Sequence, residues 1–171
     1  MVDDTVVKYI GIDESEKHFE SDIEASFLAH GFRKVPSSFD LEGMVFPDIL
    51  VEFLKSTQPR EWSRYEKYYG PAAPQKLVRR LNESVAALGL LSVLKNGLED
   101  MGIKLRLCYF KPESSLNALL EDLYSKNIYG VTRQFRYSSK NTNTIDMILS
   151  INGIPVFAFE LKNQLKGQDY Q

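Results

Sequence analysis

The chain has 171 residues, with 21 Lys and Arg against 23 Asp and Glu, a formal net charge of −2 and 43% hydrophobic residues. This length fits one domain, and the composition excludes a chain that is disordered throughout and a broadly basic nucleic-acid coat, although not a local basic cleft. A single cysteine, an acidic N-terminus and no apolar run near the roughly 18 residues that span a bilayer indicate a cytoplasmic protein without a membrane role.

The first residues differ in composition from the rest of the chain. Residues 1–17 are acidic and are predicted to form an N-terminal extension, whereas residues 18–171 are predicted to form one domain. In that domain apolar residues recur at helical spacing over 18–30 and stop at Gly31, which is suited to end a helix. The domain is therefore expected to begin with a helix.

Three further segments complete the N-terminal half. The pattern over 41–56 predicts a second helix with Pro47 in its first turn, and 74–88 predicts a third. The aromatic and charged segment 60–70 is predicted to be a surface connection with amphipathic content, because glycine and proline follow it closely. Its aromatic residues are expected to pack between helices more readily than to stack on bases.

The C-terminal half is predicted to be rich in strands. After Pro112, Ser114 or Ser115 is expected to open a helix that runs to about residue 126, and period-2 alternation predicts the other elements. The predicted strands are 103–110, 129–137, 144–151 and 154–161. The order of elements is helices first, then a strand, a helix and a three-stranded antiparallel run. This order indicates a mixed α/β class.

The inventory of reactive side chains excludes several chemistries. There is no phosphate-binding G-x-x-x-x-G-K-[ST] motif, and His18 and His30 have neither zinc-site spacing nor a nucleophile motif around them. Carboxylates and lysine remain as the side chains that could carry out catalysis. Asp146, Glu160 and Lys162 stand out because they interrupt two otherwise apolar strands, where ionised groups carry a desolvation cost.

Two registers of this hairpin are possible. A two-residue turn at Asn152-Gly153 would place Asp146 opposite Phe159 and put Glu160 on the other face. A three-residue loop over 151–153 places Asp146 opposite Ala158, and we choose it because it separates charged from apolar residues. The charged face then holds Asp146, Ala158, Glu160 and Lys162, and the apolar face holds Met147, Leu149, Phe157, Phe159 and Leu161.

In the chosen register Asp146 and Glu160 are diagonal neighbours at roughly 7 Å, close enough to hold one hard divalent cation. Lys162 would project into the same site, where it would orient a water molecule or stabilise developing negative charge. A structural ion pair of Lys162 with either carboxylate explains these residues equally well.

The chain also resembles a known family. Asp146 followed by Glu160-Leu161-Lys162 resembles the D…ExK core of the PD-(D/E)xK nuclease superfamily. The surrounding sequence resembles the N-terminal nuclease domain of the R subunit of type I restriction enzymes, from about Phe19 to the end. The segments that carry this resemblance are Tyr109-Phe110-Lys111-Pro112, Asn127, Val131-Thr132-Arg133-Gln134, Asn143-Thr144-Ile145-Asp146, Asn152-Gly153-Ile154-Pro155-Val156 and Glu160-Leu161-Lys162-Asn163.

The resemblance implies a restriction-endonuclease-like core and magnesium-dependent, non-specific cleavage of double-stranded DNA. Asp146 and Glu160 would be metal ligands and Lys162 the catalytic lysine, and a first-helix glutamate, Glu20 or Glu24, would join the site. The implied partners are methyltransferase and specificity subunits and the ATP-driven motor domain that follows in the same subunit. ATP itself would be bound by that motor domain and not by these residues.

One departure from the family concerns the motif Q-x-x-x-Y, which usually follows the lysine. Gln164, Gln168 and Tyr170 lie too early for it, so we expect a domain truncated at its C-terminus, without motor domains and weak or inactive by itself. A solvated helix face would explain Glu20 and Glu24 as well as metal binding does.

Basic residues near the site are candidates for phosphate contacts. They are Arg133, Arg136, Lys140 and Lys166, and a solvated charge row is nearly as good an explanation. Two rival functions remain open: a non-catalytic docking module with a nuclease-like fold, and a stand-alone repair nuclease of the same superfamily.

Overall fold

A computed structural model describes residues 18–35, 39, 44–113, 117–137 and 144–161. The predicted acidic extension therefore lies outside the described residues. So do three of the predicted site residues, Lys140, Lys162 and Lys166.

Six helices lie in the described part of the chain. They are α1 over 18–29, α2 Pro47–Thr57, α3 Pro59–Tyr69, α4 Ala73–Leu88, α5 Leu90–Asn96 and α6 Ala118–Ser125. Proline opens α2 and α3, where its missing N–H is no loss. The three helices predicted in the N-terminal half are confirmed as α1, α2 and α4. None of the helices in the described ranges has the length and apolar composition needed to cross a membrane.

The prediction of a surface connection over 60–70 was wrong, because this segment is the helix α3. Trp62 and Tyr65 are buried on its inner face, whereas Tyr68 is exposed. The amphipathic content of the segment belongs to a helix, which ends at Tyr69 before Gly70. The expectation that its aromatic residues pack between helices is confirmed, because Trp62 and Tyr65 belong to the largest buried cluster.

The strands form two sheets. They are β1 Arg33–Lys34, β2 Leu98–Asp100, β3 Ile103–Leu105, β4 Tyr129–Arg136, β5 Thr144–Ile151 and β6 Ile154–Phe159. The larger sheet has the order β1-β4-β5-β6, in which β1 is parallel to β4 and the other pairs are antiparallel. Strands β2 and β3 form a separate two-stranded sheet. The mixed α/β class and the three-stranded antiparallel run are confirmed.

The predicted strand over 103–110 ends early, at Leu105. The backbone of the next residue forms hydrogen bonds with a side chain instead of a strand. The Arg106 N–H donates to Gln58 Oε1 at 2.7 Å, and Gln58 Nε2 donates to the Arg106 carbonyl at 2.8 Å. The helix that Ser114 or Ser115 is predicted to open begins at Ala118, because Asn117 accepts from the Leu120 N–H at 3.2 Å and so caps it.

Helices cover both faces of the larger sheet. On one face Val131, Met147 and Leu149 pack with residues of α1. On the other face Ile148 and Phe135 pack with residues at the start of α2. The largest cluster lies among α2 to α5 and the small sheet, and it reaches the larger sheet through Ile154. The hairpin of β5 and β6 is therefore held between two helical layers.

Burial raises the pKa of Tyr65, Tyr69, Tyr109 and Tyr129, the last to about 12, and hydrogen bonds add to the effect at Tyr65 and Tyr69. An unfolded tyrosine ionises near pH 10. Below that pH both states keep the proton, and above it only the unfolded state ionises readily. We therefore expect the urea midpoint to fall as the pH rises from about 10 to about 12. Tyr129→Phe should make this fall shallower, and an identical slope would contradict the prediction.

Candidate active site

The hairpin register differs from both predicted registers. Asn152 and Gly153 form a two-residue turn with φ of 51° and 83°, which are the dihedrals that Asn-Gly favours. Beyond it a bulge inserts one residue, since Ser150 pairs with Pro155 but Leu149 pairs with Phe157. Pro155 has no N–H to give to the ladder, so an irregularity is favoured next to it. The three-residue loop was therefore wrong, and so was the pairing of Asp146 with Ala158.

The bulge nevertheless leaves most of the predicted apolar set on one face of the sheet. Met147, Leu149, Phe159 and Leu161 pack on the α1 side of the sheet. Phe157 is the exception in this set, because 64% of its surface is exposed. Glu160 lies between Phe159 and Leu161 and is exposed, as expected for a residue that alternates to the other side.

Asp146 and Glu160 lie at the end of this hairpin opposite the turn. Met147 pairs with Phe159, and continuing this register by one residue places Asp146 opposite Glu160. Directly opposed residues are about 5 Å apart at Cβ, closer than the diagonal neighbours that were predicted. The Asp146 carboxylate points towards β6, where Oδ2 accepts from the Leu161 N–H at 2.6 Å. The extended register thus places the two carboxylates of the predicted site at facing positions, Asp146 on β5 and Glu160 just after β6.

The regular alternation of the sheet breaks at the level of Asp146. Met147 packs on the α1 side, whereas Ile145 packs on the opposite side. On β4 the same break falls at Gln134, which has a φ of 48°. Gln134 lies between the pairs Arg133–Met147 and Phe135–Ile145, and therefore opposite Asp146.

The first-helix glutamates are buried and face β4. Glu20 and Glu24 are each only 6% exposed. Arg133 Nη2 lies 3.2 Å from Glu20 Oε2, and Arg133 Nη1 lies 3.5 Å from Glu24 Oε2. Lys34 adds a second cation 3.2 Å from Glu24 Oε1. The structure thus joins Arg133, a predicted phosphate contact, to the two predicted auxiliary metal ligands.

Two further facts complete the placement of the predicted residues. Arg136 is exposed at the end of β4, on the strand that leads to the site. Within the described ranges no three residues among His, Cys, Asp and Glu come together as a metal-binding group. Among the predicted ligands, Asp146 and Glu160 are the two whose positions face each other in the extended register of the β5–β6 hairpin.

Sequence reasoning missed the role of Asn152 in building the site. Its side chain is fully buried: Oδ1 accepts from the Ile128 N–H at 2.7 Å, and Nδ2 donates to the Leu107 carbonyl at 2.8 Å and to Asn127 Oδ1 at 3.0 Å. Asn127 in turn bonds both backbone groups of Tyr109. The sequence signal for this role is the Asn152-Gly153 pair, which predicts a turn but not the buried hydrogen bonds of the Asn152 amide.

Comparison with known proteins identifies the family. A sequence model of the family described as type I restriction enzyme R protein N terminus matches residues 55–171, more than half of the chain. The chain belongs to this family. A search of curated proteins and a search of solved structures each found no match.

The match to the R-protein N-terminal family includes both candidate carboxylates but not α1. Asp146 and Glu160 lie within 55–171, whereas Glu20 and Glu24 precede it. Membership places the chain in the context of a type I restriction system and supports a nuclease-like domain.

Proposed function

We propose that this chain is the endonuclease domain of an R subunit, with a restriction-endonuclease-like core that hydrolyses double-stranded DNA without sequence preference. The observation that carries the proposal is the opposition of Asp146 and Glu160 at the open end of the β5–β6 hairpin, in a chain of the R-protein N-terminal family. Cleavage would take place within an ATP-driven complex that contains methyltransferase and specificity subunits.

The chemistry of the two carboxylates fits a magnesium ion. A carboxylate offers two oxygens with about four lone-pair positions, of which the Leu161 N–H occupies one at Asp146. Glu160 is exposed and can supply a second hard ligand from the facing strand. When bound, Mg²⁺ supplies polarisation of a phosphodiester and a water molecule of lowered pKa.

The basic residues of the proposed site would act on the phosphates of the DNA. Lys162 follows Glu160 by two positions and would carry its ammonium to the same side, where it steadies negative charge on the phosphate. Arg136, Lys140 and Lys166 would contact the phosphates that flank the scissile bond. ATP is required by the motor domain and not by this site.

The test is cleavage of supercoiled plasmid by the complete R subunit with its methyltransferase and specificity partners, ATP and Mg²⁺. We expect the wild-type complex to linearise the plasmid. Glu160→Gln should stop cleavage without changing ATP hydrolysis, because the change keeps size and removes the ligand charge. Equal cutting by Glu160→Gln would contradict the proposal.

A docking module with a nuclease-like fold is the second candidate. The observation in its favour is α6, which has no buried residue and leaves Leu119 and Leu120 65% and 43% exposed. Large exposed apolar residues that lie together are typical of contact surfaces. The same plasmid assay decides between the candidates, since a docking module would support ATP hydrolysis by the wild-type complex without any Glu160-dependent cutting.

A further inference from the structure

The backbone of Gln134 is in an unusual conformation. Its φ of 48° lies in the left-handed region, which residues with a Cβ rarely adopt. Such a conformation costs free energy and persists where the surrounding structure imposes it, often beside functional sites. A consequence is visible in the sheet: Arg133 faces α1, but Phe135 packs on the opposite side, so the alternation of β4 is broken at Gln134.

This conformation lets two successive residues of β4 reach α1. Arg133 pairs with Glu20 Oε2, while Gln134 Nε2 donates to Glu20 Oε1 at 2.8 Å. A regular strand would have turned one of the two side chains away. Each oxygen of a nearly buried carboxylate therefore has its own donor.

The amide of Gln134 has a second partner on the neighbouring strand. Gln134 Oε1 accepts from Thr144 Oγ1 at 2.9 Å. Thr144 opens β5 and precedes Asp146 by two residues. One side chain thus connects a buried carboxylate of α1 to the first residue of the strand that carries the candidate metal ligand.

Gln134 and Asp146 also share one level of the sheet. The ladder pairs on either side, Arg133–Met147 and Phe135–Ile145, place them opposite each other. The alternation of β5 breaks at Asp146 as that of β4 breaks at Gln134. The two irregularities thus lie side by side at the same level of the sheet.

We propose that Gln134 is a positioning residue of the candidate nuclease site, which fixes the start of β5 against α1 and so aims the Asp146 carboxylate. The inference rests on the proposed function, because it assigns Asp146 to metal binding. Residues that orient ligands in this way typically influence metal affinity or activity by about 10-fold to 100-fold.

The test uses Gln134→Gly in the complete R subunit with its partners. Glycine adopts the observed φ without strain, so the fold should be retained while both hydrogen bonds of the side chain are lost. We expect the Mg²⁺ concentration for half-maximal plasmid cleavage to rise about tenfold, with DNA affinity unchanged. Met101→Gly is the matched control, because Met101 has a φ of 50° in the β2–β3 turn, away from the site, and should behave as wild type.

A second readout does not depend on cleavage. Binding of Mn²⁺ alone to the R subunit, followed by electron paramagnetic resonance, should weaken about tenfold in Gln134→Gly. Thr144→Val removes the other end of the bridge with little change in shape and should weaken Mn²⁺ binding in the same direction. If both residues act as one bridge, the double variant should be no weaker than Gln134→Gly alone.

The outcomes separate this inference from the proposed function. Wild-type Mg²⁺ dependence and Mn²⁺ affinity in both Gln134→Gly and Thr144→Val would overturn the positioning role while Asp146→Asn still abolishes cleavage. If Asp146→Asn cuts as well as wild type, the proposed function itself fails. Should Gln134→Gly lose thermal stability, the shape-conserving Thr144→Val decides, since normal Mn²⁺ affinity in that variant would overturn the inference.

Discussion

Asp146→Asn in the complete R subunit should lower the rate of plasmid cleavage by about 10³-fold. Asparagine keeps the size of the side chain and an oxygen that can accept from the Leu161 N–H, which Asp146 Oδ2 now accepts at 2.6 Å. The substitution removes the negative charge that a hard divalent cation requires. The loss should therefore fall on the chemical step and not on the fold.

The measurement is the rate of linear plasmid formation with saturating partner subunits and ATP. Thermal unfolding should be within about 3 °C of wild type, because the hydrogen bond is retained. Asp122→Asn is the matched control, since Asp122 is an exposed carboxylate on α6 paired with Lys126 at 2.6 Å. It should cut at the wild-type rate. Undiminished cutting by Asp146→Asn would remove Asp146 from the site.

Gly153→Ala should lower the free energy of unfolding by about 4 kcal/mol. A Cβ at this position would lie 2.5 Å from the Phe46 carbonyl oxygen and 3.0 Å from the Leu50 nitrogen, both backbone atoms at the start of α2. The φ of 83° adds strain for any residue with a side chain. The turn and α2 cannot separate easily, because the Phe46 N–H donates to the Gly153 carbonyl at 2.8 Å.

Urea unfolding of the chain measures this loss, and Gly102→Ala separates its two causes. Gly102 has a similar φ of 67°, but a Cβ there would meet open space. Its substitution should cost only the backbone strain, about 1–2 kcal/mol. Equal losses in the two variants would show that the close approach of α2 contributes nothing. Asn152→Gly should also be strongly destabilised, because it leaves buried partners of the amide unpaired.

Part of the site follows from local sequence alone. Charged residues at Asp146 and Glu160 in apolar strands, and the Asn152-Gly153 pair between them, predicted a hairpin with two carboxylates at its open end. The register could not be predicted, because the bulge beside Pro155 shifts the pairing by one residue without changing the turn. A two-residue turn with a bulge places the apolar residues of β6 on the same face as the predicted three-residue loop would. The alternation of apolar residues along the strand therefore does not distinguish the two arrangements.

The first-helix glutamates illustrate the opposite case. Helical spacing placed Glu20 and Glu24 on α1 correctly, but Arg133, which pairs with both, lies more than a hundred positions away along the chain. No local pattern carries that information. Likewise, the end of β3 depends on Gln58, which takes the place of a partner strand at Arg106.

The sequence by itself determined the mixed α/β class, the helices α1, α2 and α4, the antiparallel run of β4 to β6 and the family. The class, the helices and the strands follow from apolar periods and from turn residues, which act over a few positions, whereas the family follows from the motifs that resemble it. Only the tertiary structure decided which carboxylates face each other, which cations neutralise Glu20 and Glu24, and why Gln134 is strained. Those features depend on the approach of distant segments, where burial and hydrogen bonding outweigh local preference.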